Sequence, residues 1–241
     1  MDSDEPKFAP RLENIETQWS LLQRAHHGTI VSGNDARKSL VLRYASAIRS
    51  YVKAMTGNEA DTDELSQDVV VRLMKGDFAG ADPNRGRFRD LLKVAVRNMV
   101  RNHWAKSNRR KGVDYDLALT ADDVETAESN DPWLDSWRKN VIDIAMGRLE
   151  SYQHQHDGNI AHSVLKLRMD FPDLDSTALA DKISREQERE VNAATYRQQL
   201  RRARVRFAQY LVEEIANGLE ESDPARVQEE LISVGLYEHI K

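Results

Sequence analysis

The chain reads as all-α, and three observations carry that reading. Apolar residues recur at i, i+3, i+4 and i+7 through most of its 241 residues, period-two alternation is absent, and the 11 Gly and 6 Pro cluster between helix-length segments. Leu40, Tyr44, Ala47, Ile48 and Tyr51 predict a first amphipathic helix, with Asn34 or Asp35 available as its cap. Leu65, Val69 and Leu73 predict a second. Phe88, Leu91, Leu92, Ala95, Val96, Met99, Val100, His103 and Trp104 hold the template long enough to predict a third, the clearest in the chain. Further helices are expected over 133 to about 152, 163–170, 176–183 and 192–216. With 40% hydrophobic and 31% charged residues the chain supports real but lean cores, which favours two small domains over one large one.

Composition removes several classes. There is no Cys, which excludes disulfide scaffolds, Cys-based zinc modules and a thiol nucleophile. No stretch approaches the roughly 18 apolar residues of a membrane span, and the acidic start Met1-Asp-Ser-Asp-Glu has no apolar run behind it, so a cytoplasmic location is expected. Glu150, His154 and His156 invite comparison with a metal site, but they sit beside Asp157-Gly158 at an expected helix end and lack the paired Glu-x-x-His pattern of bundle metal sites. No metal, cofactor or catalysis is expected.

The net charge of −5 argues, as an average, against nucleic acid; its distribution argues the other way. Residues 113–136 hold eight carboxylates and no Lys or Arg, and lack helical periodicity. Residues 85–111 hold ten Lys or Arg against Asp90 alone, and residues 193–208 hold five Arg and no acid. An acidic tail closes the chain. The expected organisation is a lead-in over 1–34, a helical domain over 35–108, an acidic linker over 109–132, a second helical domain over 133–217 and the tail over 218–241.

Three segments carry candidate sites. Arg85, Arg89, Lys93, Arg97 and Arg101 recur every four residues, forming a slowly winding cationic stripe read as lying opposite the Phe88/Leu92/Val96/Met99 core face; Asn98, Asn102 and Lys106 extend it. A solvated face and a phosphate-binding face both fit, the near-absence of carboxylates for i,i+4 pairing favouring the latter. Phe88 falls on the core side, and Trp104 suits either a core or a stacking role. Asp61, Asp63, Glu64, Gln67 and Asp68 open the second helix, where carboxylates suit the positive end of the helix dipole or a protein-docking face; periodicity does not choose between them. The pair of helices expected over 176–183 and from 192 onward follows helix-turn-helix logic. Thr195, Tyr196, Gln198 and Gln199 are candidate base or phosphate contacts there, and Arg197, Arg201, Arg202 and Arg204 can pair with phosphate or read guanine.

These segments together resemble a bacterial RNA polymerase sigma factor of the sigma-70 family, extracytoplasmic-function class. The carrying runs are Asp63-Glu-Leu-Ser-Gln-Asp-Val-Val-Val-Arg-Leu73, Ala81-Asp-Pro-Asn-Arg-Gly-Arg-Phe-Arg-Asp-Leu-Leu92 and Val96-Arg-Asn-Met-Val-Arg-Asn-His-Trp104. Arg197-Gln-Gln-Leu-Arg-Arg-Ala-Arg-Val-Arg-Phe207, with Glu16-Thr-Gln-Trp-Ser-Leu-Leu22 and Glu229-Glu-Leu-Ile-Ser-Val-Gly-Leu236, is similar to the subset found in planctomycete-like bacteria. The resemblance implies a region 2-like bundle and a region 4-like helix-turn-helix. Asp63, Glu64, Gln67, Asp68 and Arg72 would dock on the β′ clamp helices of core polymerase, with the β flap as a further contact. Arg89, Lys93, Arg97, Asn98, Arg101, Asn102 and Lys106 would recognise and melt the minus-ten element, and Thr195, Tyr196, Arg197, Gln198, Gln199, Arg201, Arg202 and Arg204 would read the minus-thirty-five element. It also admits an anti-sigma factor as a partner. Leu91 stands where the class usually has Trp or Tyr and Asn102 where it often has Asp, and residues 184–191 lengthen the turn before the recognition helix.

Overall fold

The buried stripe that starts at Leu40 continues two turns back through Ala36 and Gly33, and this carries the first helix past both of its expected caps. In the computed structural model, which describes residues 30–75, 87–110, 131–219 and 223–240, helix α1 is Ile30–Thr56, with Asn34 and Asp35 inside it. The remaining helices are α2 (Glu59–Lys75), α3 (Phe88–Arg110), α4 (Pro132–His154), α5 (Ala161–Asp170), α6 (Ser176–Glu186), α7 (Ala193–Asn217) and α8 (Pro224–Ser233), followed by a 3-10 turn at Tyr237–His239. No strand occurs among the described residues, in accord with the all-α reading. Arg85, the lead-in over 1–29 and the linker over 111–130 lie outside the described residues. The described residues form two compact units: 30–140 with 216–219, and 141–215 with 223–240.

In the first unit α1 turns into α2 at Gly57, whose positive φ of 71° is one glycine adopts without strain and whose N–H donates to Lys53 O at 3.0 Å. Asn58 then caps α2, its Oδ1 accepting from Asp61 N at 2.8 Å, while the buried Thr62 hydroxyl bonds Asn58 O and lies 2.9 Å from Thr56 Oγ1. α1 packs on α2, and both pack on α3. The space left between α1 and α3 is filled from α4. Trp133 and Trp137, one turn apart, are buried against Tyr51 (ring centroids 5.1 Å) and Tyr44 (stacked, 5.0 Å), and Phe88 completes the cluster 5.3 Å from Tyr44. Asn140 Nδ2 closes the contact by donating to Arg43 O at 2.9 Å. Residues 133–140 therefore belong to the first unit, whereas the sequence reading placed the second domain's start at 133. The reason is that the i,i+4 Trp pair completes a core begun 90 residues earlier, a relation no local pattern records.

The second unit holds the short helices α5 and α6, packed on each other, and α7, whose stripe Leu200, Ala203, Phe207, Leu211 and Ile215 is buried as expected. Asp175 caps α6 through Thr177 N at 3.0 Å and Ala178 N at 2.8 Å. The acidic tail is not a solvated extension. Asp223 caps α8 by accepting from Arg226 N, Pro224 occupies its first turn, and Val227, Leu231, Val234 and Leu236 are buried. The carboxylate count concealed an amphipathic helix, because Glu229 faces solvent while Val227, Leu231 and Val234 recur at helical spacing on the buried face.

Replacing Trp133 with Ala should destabilise the first unit by about 3–5 kcal/mol, read as a lowered urea midpoint, because it opens a cavity between α1 and α3.

Candidate nucleic-acid interface

On α2, Leu65, Val69 and Leu73 face the core and leave Asp63, Glu64, Gln67, Asp68 and Arg72 exposed. Asp63 is held on one flank by Arg49 of α1, 2.9 Å away, and the same guanidinium pairs with Glu59, which Lys53 also approaches at 3.1 Å. Hydrogen bonding to Glu59 and Asp63 raises the Arg49 pKa, and hydrogen bonding to Arg49 and Lys53 lowers that of Glu59. Asp61 lies 3.5 Å from His103, tying the start of α2 to α3. The outward centre of the helix is formed by Glu64, Gln67, Asp68 and Val71, the valine 44% exposed. Val71 was missed in the sequence because it ends the run Val69-Val70-Val71, in which only phase distinguishes core from surface. A polar face around one apolar residue suits protein docking.

The cationic stripe of α3 is not opposite its core. Four residues on a helix of 3.6 residues per turn advance about 40° beyond a full turn, so the stripe starts at the core boundary and reaches solvent only near its end. Arg89 is nearly buried, its side chain 12% exposed. Lys93 is half-buried and pairs with Asp131 at 2.6 Å; Arg97 is half-buried with its Nε shielded from solvent. Arg101 is half-exposed, and Asn98, Asn102 and Lys106 are exposed. Trp104, 40% exposed, is available for stacking, while Phe88 is fully buried. Among the α3 residues whose side chains are described, Asn98, Asn102 and Lys106 are exposed on one side of the helix and Trp104 on another, with the half-exposed Arg101 between them.

In the second unit α6 and α7 are joined by residues 187–192 in a defined conformation. The Ser184 hydroxyl donates to Ala180 O and accepts from Val191 N at 2.9 Å, Arg189 reaches Gly158 O, and Glu188 adopts φ 47°. Asn192 caps α7, accepting from Thr195 N at 2.8 Å. Beyond the cap, Arg197, Gln198, Arg201, Arg202 and Arg204 are exposed, and Thr195 and Gln199 are half-buried. None of the four arginines forms an ion pair with a carboxylate among the described residues. A groove of about 960 Å³ runs beside α7, lined by Arg168, Arg197, Arg201 and Arg204 with Leu200 and Val205; a second of about 500 Å³ is lined by Gln198, Gln199, Arg202 and Arg206. Arg168 is a latch, its guanidinium donating to Pro172 O and Leu174 O.

Tyr196 does not join this face. It is fully buried and its hydroxyl donates to Val164 O at 3.1 Å, so the candidate DNA contact is a core residue that ties α7 to α5. Burial pushes its hydroxyl pKa up, against nearby Arg168. It falls four residues before Leu200 and continues the buried stripe, which its polar tip disguised. Arg206, not among the candidates, stacks 4.3 Å over the Tyr152 ring at the edge of the second groove. His156 Nδ1 lies 2.8 Å from Tyr152 O, and among the described residues no group of three or more His, Asp or Glu is placed to hold a metal ion. No helix among the described residues is long and apolar enough to cross a membrane.

Residues 40–110, which take in most of α1 and all of α2 and α3, match the family model of Sigma-70 region 2. No curated protein and no solved structure matches the chain. The region 2 match supports a sigma-70 family member, a factor that takes part in promoter recognition and RNA polymerase binding.

Replacing Tyr196 with Phe should lower stability by about 0.5–1.5 kcal/mol and leave DNA affinity unchanged, as measured by thermal unfolding and oligonucleotide titration on the same sample.

Proposed function

We propose that the chain is a sigma factor of the extracytoplasmic-function class, of the planctomycete-like subset, that docks on core RNA polymerase and directs initiation at promoters with minus-ten and minus-thirty-five elements. The observation that carries the reading is that the matched segment, 40–110, contains two neighbouring helices with complementary outward chemistry. α2 offers Glu64, Gln67 and Asp68 around Val71, which suits the β′ clamp helices, and α3 offers the exposed polar residues Asn98, Asn102 and Lys106, the half-exposed Arg101 and the exposed ring of Trp104, which suit an unpaired minus-ten strand passing around the helix. Stacking of one base on Trp104, and hydrogen bonds from Asn98 and Asn102 to others, would offset the few kcal/mol of unstacking each base.

The helix-turn-helix is proposed to read the minus-thirty-five element, with α7 in the major groove and the β flap as the second unit's polymerase contact. Arg197, Arg201, Arg202 and Arg204 would pair with phosphate or guanine, and Gln198 and Gln199 would meet base edges. The factor would act in the cytoplasm, with an anti-sigma factor as a further partner and no catalysis of its own.

Reconstitution with core polymerase tests the reading: specific initiation supports it, and a chain that binds DNA specifically but never binds core is instead a stand-alone helix-turn-helix regulator. Glu64→Lys with Asp68→Lys should weaken core binding at least tenfold while leaving binding to isolated promoter fragments unchanged, measured by fluorescence anisotropy with each partner. Replacing Arg197 and Arg201 with Ala should cost roughly 1–3 kcal/mol per base-reading contact in upstream sequence discrimination and leave core binding intact, scored on templates with altered minus-thirty-five sequences.

A further inference from the structure

Asp131 serves two helices at once. Its Oδ1 accepts from Trp133 N at 3.0 Å, capping α4, and its Oδ2 lies 2.6 Å from the Lys93 ammonium of α3. The two side chains are only 29% and 28% exposed, so the pair is shielded from salt more than a surface pair is. The carboxylate cannot drift away, because the next residues, Trp133 and Trp137, are locked in the aromatic core. Tyr51 Oη, Arg97 Nε and Trp133 Nε1 are buried with no hydrogen-bond partner among the described residues. Burial chiefly, and then the Asp131 charge, raises the Tyr51 pKa while Arg97 lowers it, so Tyr51, Asp131 and Arg97 share one electrostatic neighbourhood.

We propose that Asp131 is an internal competitor for nucleic acid: its carboxylate occupies Lys93 in the free chain, and a backbone phosphate of bound DNA takes its place. The proposal rests on the reading of α3 as a DNA-binding helix. A carboxylate oxygen and a phosphate oxygen satisfy the same ammonium, but only the phosphate brings release of condensed counterions. The exchange leaves α4 in place, since the cap uses the other oxygen and the flexible four-carbon stem of Lys93 lets its ammonium swing outward. The stripe, partly engaged within the free protein, therefore holds one cation in reserve.

The test uses the full chain and a labelled single-stranded oligonucleotide of mixed sequence, titrated at several salt concentrations. Asp131→Asn removes the charge and keeps a capping side chain, and Asp131→Ser is the second capping variant should the first fail to fold. The expected result is binding roughly three- to tenfold tighter, with a log–log salt slope steeper by about 0.7, one single-strand phosphate contact. Adding Lys93→Gln to Asp131→Asn should abolish the gain. Asp135→Asn, the same charge change one turn along α4, should leave the affinity within about twofold of the parent, since Asp135 faces solvent and pairs with Arg138. Folded Asp131 variants that bind like the parent, a gain that survives Lys93→Gln, or an equal gain from Asp135→Asn would each overturn the proposal. Absence of binding by every form, at low salt as well, would instead remove the DNA-binding reading of α3 and the proposal with it.

Discussion

The first unit depends on the burial of five aromatic rings, Tyr44, Tyr51, Phe88, Trp133 and Trp137, contributed by three helices far apart in sequence. Most of a helix's stability in a protein comes from packing of its apolar face, and here the aromatic face that α1 and α3 share is completed only when the start of α4 inserts its tryptophan pair. Everything else in the unit follows from that insertion. It brings Asp131 to Lys93, sets Asn140 on the Arg43 carbonyl, and shields the upper part of the α3 stripe.

Charge in this chain is meaningful only helix by helix. The net −5 averages an outward acidic face on α2, a stripe on α3 that passes from buried to exposed, and four exposed arginines on α7 with no carboxylate partner among the described residues. A stripe with a four-residue repeat must drift around a 3.6-residue helix, so the cations of α3 have unequal roles: those near its start hold the fold together and those near its end face outward. Among the α3 side chains described, Lys106 is exposed, Arg101 is half-exposed, and Arg89, Lys93 and Arg97 are largely taken into the fold.

The second unit solves a different problem. The six-residue connection between α6 and α7 is kept in one conformation by the Ser184 hydroxyl, which bonds the backbone on both sides of the turn, and by the Asn192 cap. Tyr196 then fixes α7 against α5 from inside. The arginines that follow are presented from a helix fixed both at its cap and at its core.

The sequence by itself determined the all-α class, the buried stripes of α1, α2, α3 and α7, the order of a short helix followed by a long one over 176–217, and the exposed acidic and polar positions Glu64, Gln67, Asp68, Asn98 and Asn102. Those are local properties: period, capping and composition act within one helix, and each is visible in the residues of that helix alone. Only the tertiary structure decided that 133–140 belong with the first unit, that Lys93 is paired with Asp131, that Tyr196 is core, and that the acidic tail contains α8. In every one of these cases the deciding contact comes from another element. Periodicity gives the phase of a helix face but not the neighbour that covers it, and a polar tip on Tyr196 or a carboxylate beside Trp133 reads as surface until that neighbour is in place.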